Sequence, residues 1–216
     1  ISIVQSGINT FWTPFVFEHF STKPTYLSSG HRLITFVMAI FGLGVVLFQD
    51  VLYQIIGPNY RASQQFFALL LFSPICYTIS ETTGIGINLS KKTYLNFVVY
   101  GATILITFAA CYLLIPSIGL LGAAIAVAIA SFCSLIIKTV IGERYYKVIT
   151  SPLKSFFPPT ILLIAFSLNT VFLNMFWIRT LITIISAIVI CIMYRTEWVL
   201  LMGMVRDWMG KKRLES

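Results

Sequence analysis

The stretch QFFALLLFSPICYTISETTGIGINL, residues 65–89, is long and apolar enough to cross a lipid bilayer, yet it contains one carboxylate, Glu81. The hydrocarbon core of a bilayer is about 30 Å thick, and roughly 20 mostly apolar helical residues span it. A charged side chain that faces lipid at the centre of such a helix costs about 2.5–3.5 kcal/mol. We therefore predict a membrane-crossing helix whose Glu81 side chain faces protein or water.

The composition of the whole chain also indicates an integral membrane protein. Of the 216 residues, 58% are hydrophobic and 10% are charged, whereas an average soluble domain has about 25% charged residues. The formal charge of +8 does not indicate nucleic-acid binding, because the basic residues lie in short groups between apolar segments. Because the sequence begins with Ile1, we expect it to be a piece of a longer protein.

Four cysteines lie far apart inside apolar segments, without a CxxC pair, and only two histidines accompany them. This pattern is typical of packing residues and predicts neither a metal site nor a cofactor. The cysteines are Cys76, Cys111, Cys133 and Cys191.

Seven segments of the chain are candidates to cross the membrane as helices. A proline disfavours helical geometry in the residue before it, so Ile115-Pro116 is expected to end the fourth segment. The short connection around Asn174 predicts a tight hairpin between the last two segments. The segments are residues 2–17, 33–48 with an extension to 56, 65–89, 94–114, 118–141, 156–173 and 176–194.

The distribution of lysine and arginine predicts how the segments are oriented. Basic loop residues are retained on the cytoplasmic side of a membrane, and thirteen basic residues fall on one side of the seven segments, against Arg61 and Arg179 on the other. We therefore expect residue 1 outside and the C-terminus in the cytoplasm. The thirteen are Lys23, Arg32, Lys91, Lys92, Lys138, Arg144, Lys147, Lys154, Arg195, Arg206, Lys211, Lys212 and Arg213.

Polar side chains recur on one side of segment 65–89 at helical spacing, and segment 2–17 has a matching set. Two interpretations stay open for them. Glu81 is either protonated or hydrogen-bonded for packing alone, or the polar residues line a cavity through which a substrate moves. The candidate cavity or coupling residues are Tyr77, Thr78, Glu81 and Asn88, with Asn9 and Thr13 on the first segment.

Two further patterns concern packing. Small residues recur every four positions in segment 118–141, which predicts a groove that a neighbouring helix can approach closely. After the last segment, apolar residues on one helical face and a basic cluster at 211–213 predict either an amphipathic cytoplasmic helix or a frayed continuation of the last segment. The small residues are Gly122, Ala126, Ala130 and Ser134.

Three strings together resemble one family, the Wzx-type flippases of polysaccharides and lipid-linked oligosaccharides. GPNYRAS, residues 57–63, is similar to the G-x-x-Y/F-x-x-A/S turn after their ninth helix. LLIPSIGLLGAAIAVAIA, residues 113–130, resembles their L-I-P-x-x-G-x-x-G-A-A-x-A-T segment, with Val127 where threonine is common. TGIGINLSKKT, residues 83–93, resembles the end of their tenth helix. The resemblance covers residues 7–145.

This resemblance implies an all-α membrane protein that forms helices eight to fourteen of a MATE-like transporter, within the multidrug/oligosaccharidyl-lipid/polysaccharide exporter superfamily. Residues 1–145 would form one lobe, 146–195 two additional C-terminal helices, and 196–216 a cytoplasmic interfacial tail. The implied partners are a lipid-linked oligosaccharide, the bilayer, the missing N-terminal lobe, and the polysaccharide polymerase and chain-length proteins, with no nucleic acid.

The implied function is export of polyprenyl-diphosphate-linked oligosaccharide units by alternating access, for O-antigen or other lipopolysaccharide biosynthesis in the bacterial inner membrane. No lysine or arginine is expected deep in the helices, so the cation that binds the diphosphate would come from the missing half. One alternative is a cation-coupled drug exporter in which Glu81 binds H⁺ or Na⁺. A membrane enzyme is disfavoured, because the outer loops offer only Asp50, Arg61 and Arg179 for chemistry.

Overall fold

The computed structural model describes residues 2–19, 24–149 and 152–196, and every regular element in these ranges is helical. A 3₁₀ turn, Pro58–Ser63, connects α3 to α4. The α-helices are α1 (Ser2–His19), α2 (Pro24–Leu47), α3 (Gln49–Ile56), α4 (Gln64–Thr83), α5 (Ile85–Leu89), α6 (Tyr94–Ile118), α7 (Leu120–Tyr145), α8 (Pro152–Val171) and α9 (Phe176–Met193).

The helical class predicted from the sequence is confirmed, whereas the number of membrane crossings is not. Within the described residues, five helical stretches are long and apolar enough to cross a membrane. Helices α1 and α8, the other two predicted crossings, are not among them, since polar and proline residues interrupt both. The five are Leu27–Leu47, Pro58–Thr83, Tyr94–Ile118, Leu120–Tyr145 and Phe176–Met193.

Several predicted helix boundaries were wrong. Helix α2 begins at Pro24, nine residues before the predicted start at residue 33. The segment predicted at 65–89 is broken at Gly84 into α4 and α5, because glycine has low helical propensity. Helix α6 continues through Pro116 to Ile118. Pro116 lacks the N–H that would donate to the Tyr112 carbonyl, yet the helix continues for two more residues and ends at Gly119, which has a φ of 59°.

Contacts between distant connections show which helix ends lie together. The Lys92 ammonium lies 4.8 Å from the centre of the Tyr145 ring, and the Tyr194 hydroxyl donates to the carbonyl of Lys154. At the other end, Arg179 at the start of α9 pairs with Asp50 at the start of α3. This grouping of helix ends agrees with the alternating order used to predict the orientation.

The main core lies between α2, α4, α7, α8 and α9. Phe72 of α4 meets Phe166 of α8 edge to face, with ring centres 6.4 Å apart. Phe36 of α2 stacks on Tyr194, which follows α9, at 5.7 Å. The last two helices therefore share one hydrophobic core with the preceding ones.

Helix α6 is the least buried of the long helices. Val99 is its one buried residue, while Phe97, Leu105, Phe108 and other large apolar side chains are exposed. An apolar surface of this extent is typical of contact with lipid or another protein. In the bundle, α6 packs mainly along α7.

The predicted small-residue face of α7 is largely buried. A Cβ atom at Gly122 would lie 2.5 Å from the Leu114 carbonyl oxygen of α6, so glycine allows the close α6–α7 turn. Ala126 and Ala130 are buried and Ser134 is half-buried. The predicted amphipathic tail, from residue 197 onward, lies outside the described residues.

Candidate functional site

Glu81 of α4 forms an ion pair with Lys138 of α7. The Lys138 ammonium donates to Oε1 of Glu81 at 2.5 Å. The lysine side chain is 4% exposed and the glutamate side chain 20% exposed, so the pair lies at the edge of the bundle with its carboxylate side outward. Both residues belong to helices that are candidates to cross the membrane.

Two tyrosines flank this ion pair. Tyr77 lies one helical turn before Glu81 on α4, and Tyr100 comes from α6. The Lys138 ammonium lies 5.6 Å from the centre of the Tyr77 ring and 5.5 Å from that of Tyr100, within the range of cation–π attraction. The Tyr100 hydroxyl also donates to Oε1 of Glu81 at 3.5 Å.

The break between α4 and α5 makes room for the lysine. A Cβ atom at Gly84 would lie 2.7 Å from Cε and 2.8 Å from Cγ of Lys138. The aliphatic part of Lys138 therefore crosses directly over the Gly84 backbone on its way to Glu81. Glycine at this position both weakens the helix and opens the path for the side chain.

Polar pairs continue along the contact between α4 and α7. Ser131 donates to Ser73 at 2.9 Å, and the hydroxyls of Thr83 and Thr139 are 2.7 Å apart. The partners in these two pairs are 58 and 56 residues apart in the chain, and Glu81 and Lys138 are 57 apart. Because the separation is nearly constant, α4 and α7 run parallel. Interhelical hydrogen bonds of this kind hold helices together in membranes.

A buried histidine beside this contact joins the helices α2, α4 and α8. His31 of α2 is 1% exposed, with Nδ1 2.7 Å from the Thr82 hydroxyl and Nε2 2.9 Å from the Ser155 hydroxyl. The Thr82 hydroxyl donates to the Ile79 carbonyl, so a neutral ring donates from Nδ1 and accepts at Nε2. The sequence did not indicate this cluster, because its members lie in separate segments.

The structure brings only Tyr77 of the other predicted cavity residues to Glu81. Thr78 is fully buried and donates to the Pro74 carbonyl. Asn88 lies beyond the Gly84 break and accepts from Asn96 at 3.3 Å. Thr13 of α1 is half-buried. The side chain of Asn9 lies outside what the structure describes.

The expectation that no basic residue lies deep in the helices was wrong. Lys138 was assigned to the cytoplasmic side, but α7 extends to Tyr145 and places Lys138 seven residues, about 10 Å, before its end. Without Lys138, the predicted orientation rests on twelve basic residues against two, so the asymmetry persists. The sequence did contain one sign of this placement, because Lys138 lies inside the apolar segment 118–141.

The cysteines and the metal-ligating residue types form no metal site in the described ranges. Cys76 is buried, the other three cysteines are half-buried, and all four thiols are free. No group of three or more His, Cys, Asp or Glu side chains suited to a metal ion occurs in the part of the chain that the structure describes.

Comparisons with protein-family models, with curated proteins and with solved structures find no match to this chain. The structure itself shows a helical protein in which several helices are long and apolar enough to cross a membrane. An ion pair joins two of these helices. These helices fit a multi-pass membrane protein.

Proposed function

We propose that this chain is the C-terminal part of a flippase that moves a polyprenyl-diphosphate-linked oligosaccharide across a bacterial inner membrane by alternating access. The observation that carries the proposal is the Glu81–Lys138 pair at the edge of the bundle, flanked by Tyr77 and Tyr100. The sequence resemblance to Wzx-type flippases supplies the substrate class.

The ion pair supports transport over packing alone for an energetic reason. Replacing a buried ion pair by apolar side chains of similar volume is often neutral or stabilising, so packing does not require these charges. The two tyrosines beside the pair are 37% and 39% exposed. The edge of the bundle therefore presents a carboxylate and two hydroxyls, with the nearly buried Lys138 ammonium behind them.

Lys138 provides the cation that a diphosphate group needs. In the structure its charge is balanced by Glu81, and a diphosphate that approached from the open side would compete with that carboxylate for the ammonium. Tyr77 and Tyr100 would donate hydrogen bonds to the same oxygens. In this proposal Glu81 holds Lys138 in place while the substrate is absent.

The drug-exporter alternative assigns H⁺ or Na⁺ binding to Glu81. Oε1 of Glu81 already accepts from Lys138 at 2.5 Å, so a metal cation would have to displace the ammonium. Resistance of expressing cells to hydrophobic cations tests this alternative. We expect no change in resistance, whereas deletion of the protein should reduce surface polysaccharide.

Replacing Glu81 by glutamine tests the proposed role of the pair. We expect Glu81→Gln in the intact protein to reduce surface polysaccharide at least tenfold, because Lys138 loses its counter-charge although the side-chain shape is kept. Polysaccharide is measured by immunoblotting and is expressed per amount of epitope-tagged protein in the membrane, because the unpaired Lys138 ammonium also destabilises the protein.

The matched control is Glu143→Gln at the end of α7. Glu143 accepts from the backbone N–H groups of Val148 and Ile149 at 2.8 and 2.9 Å, and an amide oxygen can still accept these bonds. We expect normal export from this variant. Normal export from Glu81→Gln as well would leave Glu81 with a packing role only.

The predicted orientation is testable with reporter fusions. Green fluorescent protein fused after Lys92 should fluoresce, and alkaline phosphatase fused after Asn59 or Asn174 should be active, because lysine-rich loops stay in the cytoplasm. Active alkaline phosphatase after Lys92 would invert the orientation and contradict the direction of transport.

A further inference from the structure

A second polar site lies at the end of the bundle opposite Lys92. It is an open depression of about 520 Å³ between α3, the 3₁₀ turn, α4 and the α8–α9 connection. This volume is within the range of about 300–1,000 Å³ typical of small-molecule sites. Its polar and aromatic lining includes Asp50, Gln54, Arg61, Gln64, Asn174 and Phe176.

The carboxylate in this depression is held in a fixed position. Arg179 donates to Oδ2 of Asp50 at 2.5 Å, and Gln64 donates to Oδ1 at 2.5 Å. The arginine side chain is 6% exposed, while that of Asp50 is 30% exposed. Beneath this pair, Gln49 donates to Asn169 at 3.0 Å, so the floor is tied to α8 as well as α9.

Arg179 lies in the depression's wall at an energetic cost. Its Nε and Nη1 atoms are buried without a hydrogen-bond partner in the part of the chain that the structure describes. Incompletely paired buried charges are destabilising. Arg179 and Gln64 together orient both oxygens of the Asp50 carboxylate. The carboxylate remains partly exposed to the depression.

The Asp50 carboxylate in the lining is paired with the Arg179 guanidinium, which leaves Arg61 as the remaining charged group. The exposed amides of Gln54 and Asn174 make no hydrogen bond within the described residues and offer both donors and acceptors. A hydroxyl group also donates and accepts, so a polyhydroxyl ligand can bond to both amides and to Arg61.

An aromatic side chain completes the chemistry. Phe176, at the start of α9, is 50% exposed at the depression and offers an apolar surface to the C–H face of a sugar ring. Amides, a carboxylate, a guanidinium and an aromatic ring together match both faces of a pyranose.

We propose that this depression binds a saccharide, with Asp50, Gln54, Arg61 and Asn174 bonding its hydroxyls and Phe176 packing on its ring. The identification of that saccharide as the exported repeat unit rests on the proposed function. The depression lies on the side opposite the lysine-bearing loops, where the unit emerges from the membrane. It is then an exit-side site, separate from the Glu81–Lys138 pair.

Saturation-transfer NMR on the intact protein in detergent micelles tests this site. The probe is the repeat-unit oligosaccharide released from its lipid by mild acid hydrolysis, and inorganic phosphate is the competing probe. We expect the oligosaccharide to bind the unaltered protein, with an at least fivefold weaker Kd for Gln54→Ala/Asn174→Ala. The control Asn59→Ala, exposed in the 3₁₀ turn outside the depression, should bind normally, and phosphate should not compete.

Three outcomes would overturn the saccharide site: absent oligosaccharide binding, equal affinity of the double variant, or competition by phosphate, which would indicate an anion site. The export assay distinguishes this failure from failure of the proposed function. If Glu81→Gln stops export while the depression variant binds and exports normally, the flippase proposal stands and the exit-side site falls. If Glu81→Gln exports normally and the oligosaccharide still binds at the depression, the saccharide site stands and the proposed role of the Glu81–Lys138 pair in transport falls.

Discussion

Replacement of Lys138 by methionine is expected to reduce surface polysaccharide at least tenfold and to destabilise the protein by roughly 3–5 kcal/mol, the range for removing one partner of a buried ion pair. The loss arises because the Glu81 carboxylate then has no cation beside it and keeps neutral tyrosine hydroxyls, such as that of Tyr100 at 3.5 Å, as its neighbours. Thermal unfolding in detergent, followed by circular dichroism, measures the stability, and immunoblotting measures the polysaccharide.

The double variant Glu81→Gln/Lys138→Met separates stability from transport. Removing both charges leaves no unpaired ion, so the thermal midpoint should return to within a few degrees of the unaltered protein. Export should remain low, because the cation is absent. A stable double variant that exports normally would contradict the proposal and reduce the pair to a packing contact.

Replacement of Gly142 by alanine is expected to lower the thermal midpoint by roughly 5–10 °C, since overpacking costs about 1–3 kcal/mol or more. A Cβ atom at Gly142 would lie 2.5 Å from the Thr83 carbonyl oxygen and 2.9 Å from Cα of Gly84. A Cβ atom at Gly86 would lie 2.2 Å from the Gly142 carbonyl oxygen. Because these neighbours are backbone atoms, α5 and α7 must separate, and the same loss is expected for Gly86→Ala.

The matched control is Gly101→Ala in the middle of α6. Nothing lies within 4 Å of a Cβ atom there, and alanine is favoured over glycine in a helix by up to about 1 kcal/mol. We expect an unchanged or slightly higher midpoint. If Gly142→Ala unfolds at the same temperature as Gly101→Ala, the helices are not held in backbone contact at this point.

Local patterns in the sequence predicted the helical class and the approximate positions of most helices, but not all of their boundaries. Apolar segments of membrane length predicted the helical class, and the short connection around Asn174 predicted the hairpin seen between α8 and α9. Gly84 and Gly86 both have low helical propensity, but nothing local indicated that the helix breaks at Gly84. Pro116 misled in the other direction, because α6 continues through it for two more residues and ends at Gly119.

The sequence by itself determined that helices form, that they are apolar enough for a membrane, and that Glu81 is costly to expose to lipid, because these properties depend on neighbouring residues and the surrounding solvent. Only the tertiary structure decided the partner of that carboxylate. Lys138 follows it by 57 residues and reaches it because α4 and α7 run parallel in contact and Gly84 has no side chain in the way. The same holds for Asp50 and Arg179, which lie 129 residues apart in the chain. Pairing between distant residues depends on how the helices pack, and no local pattern records it.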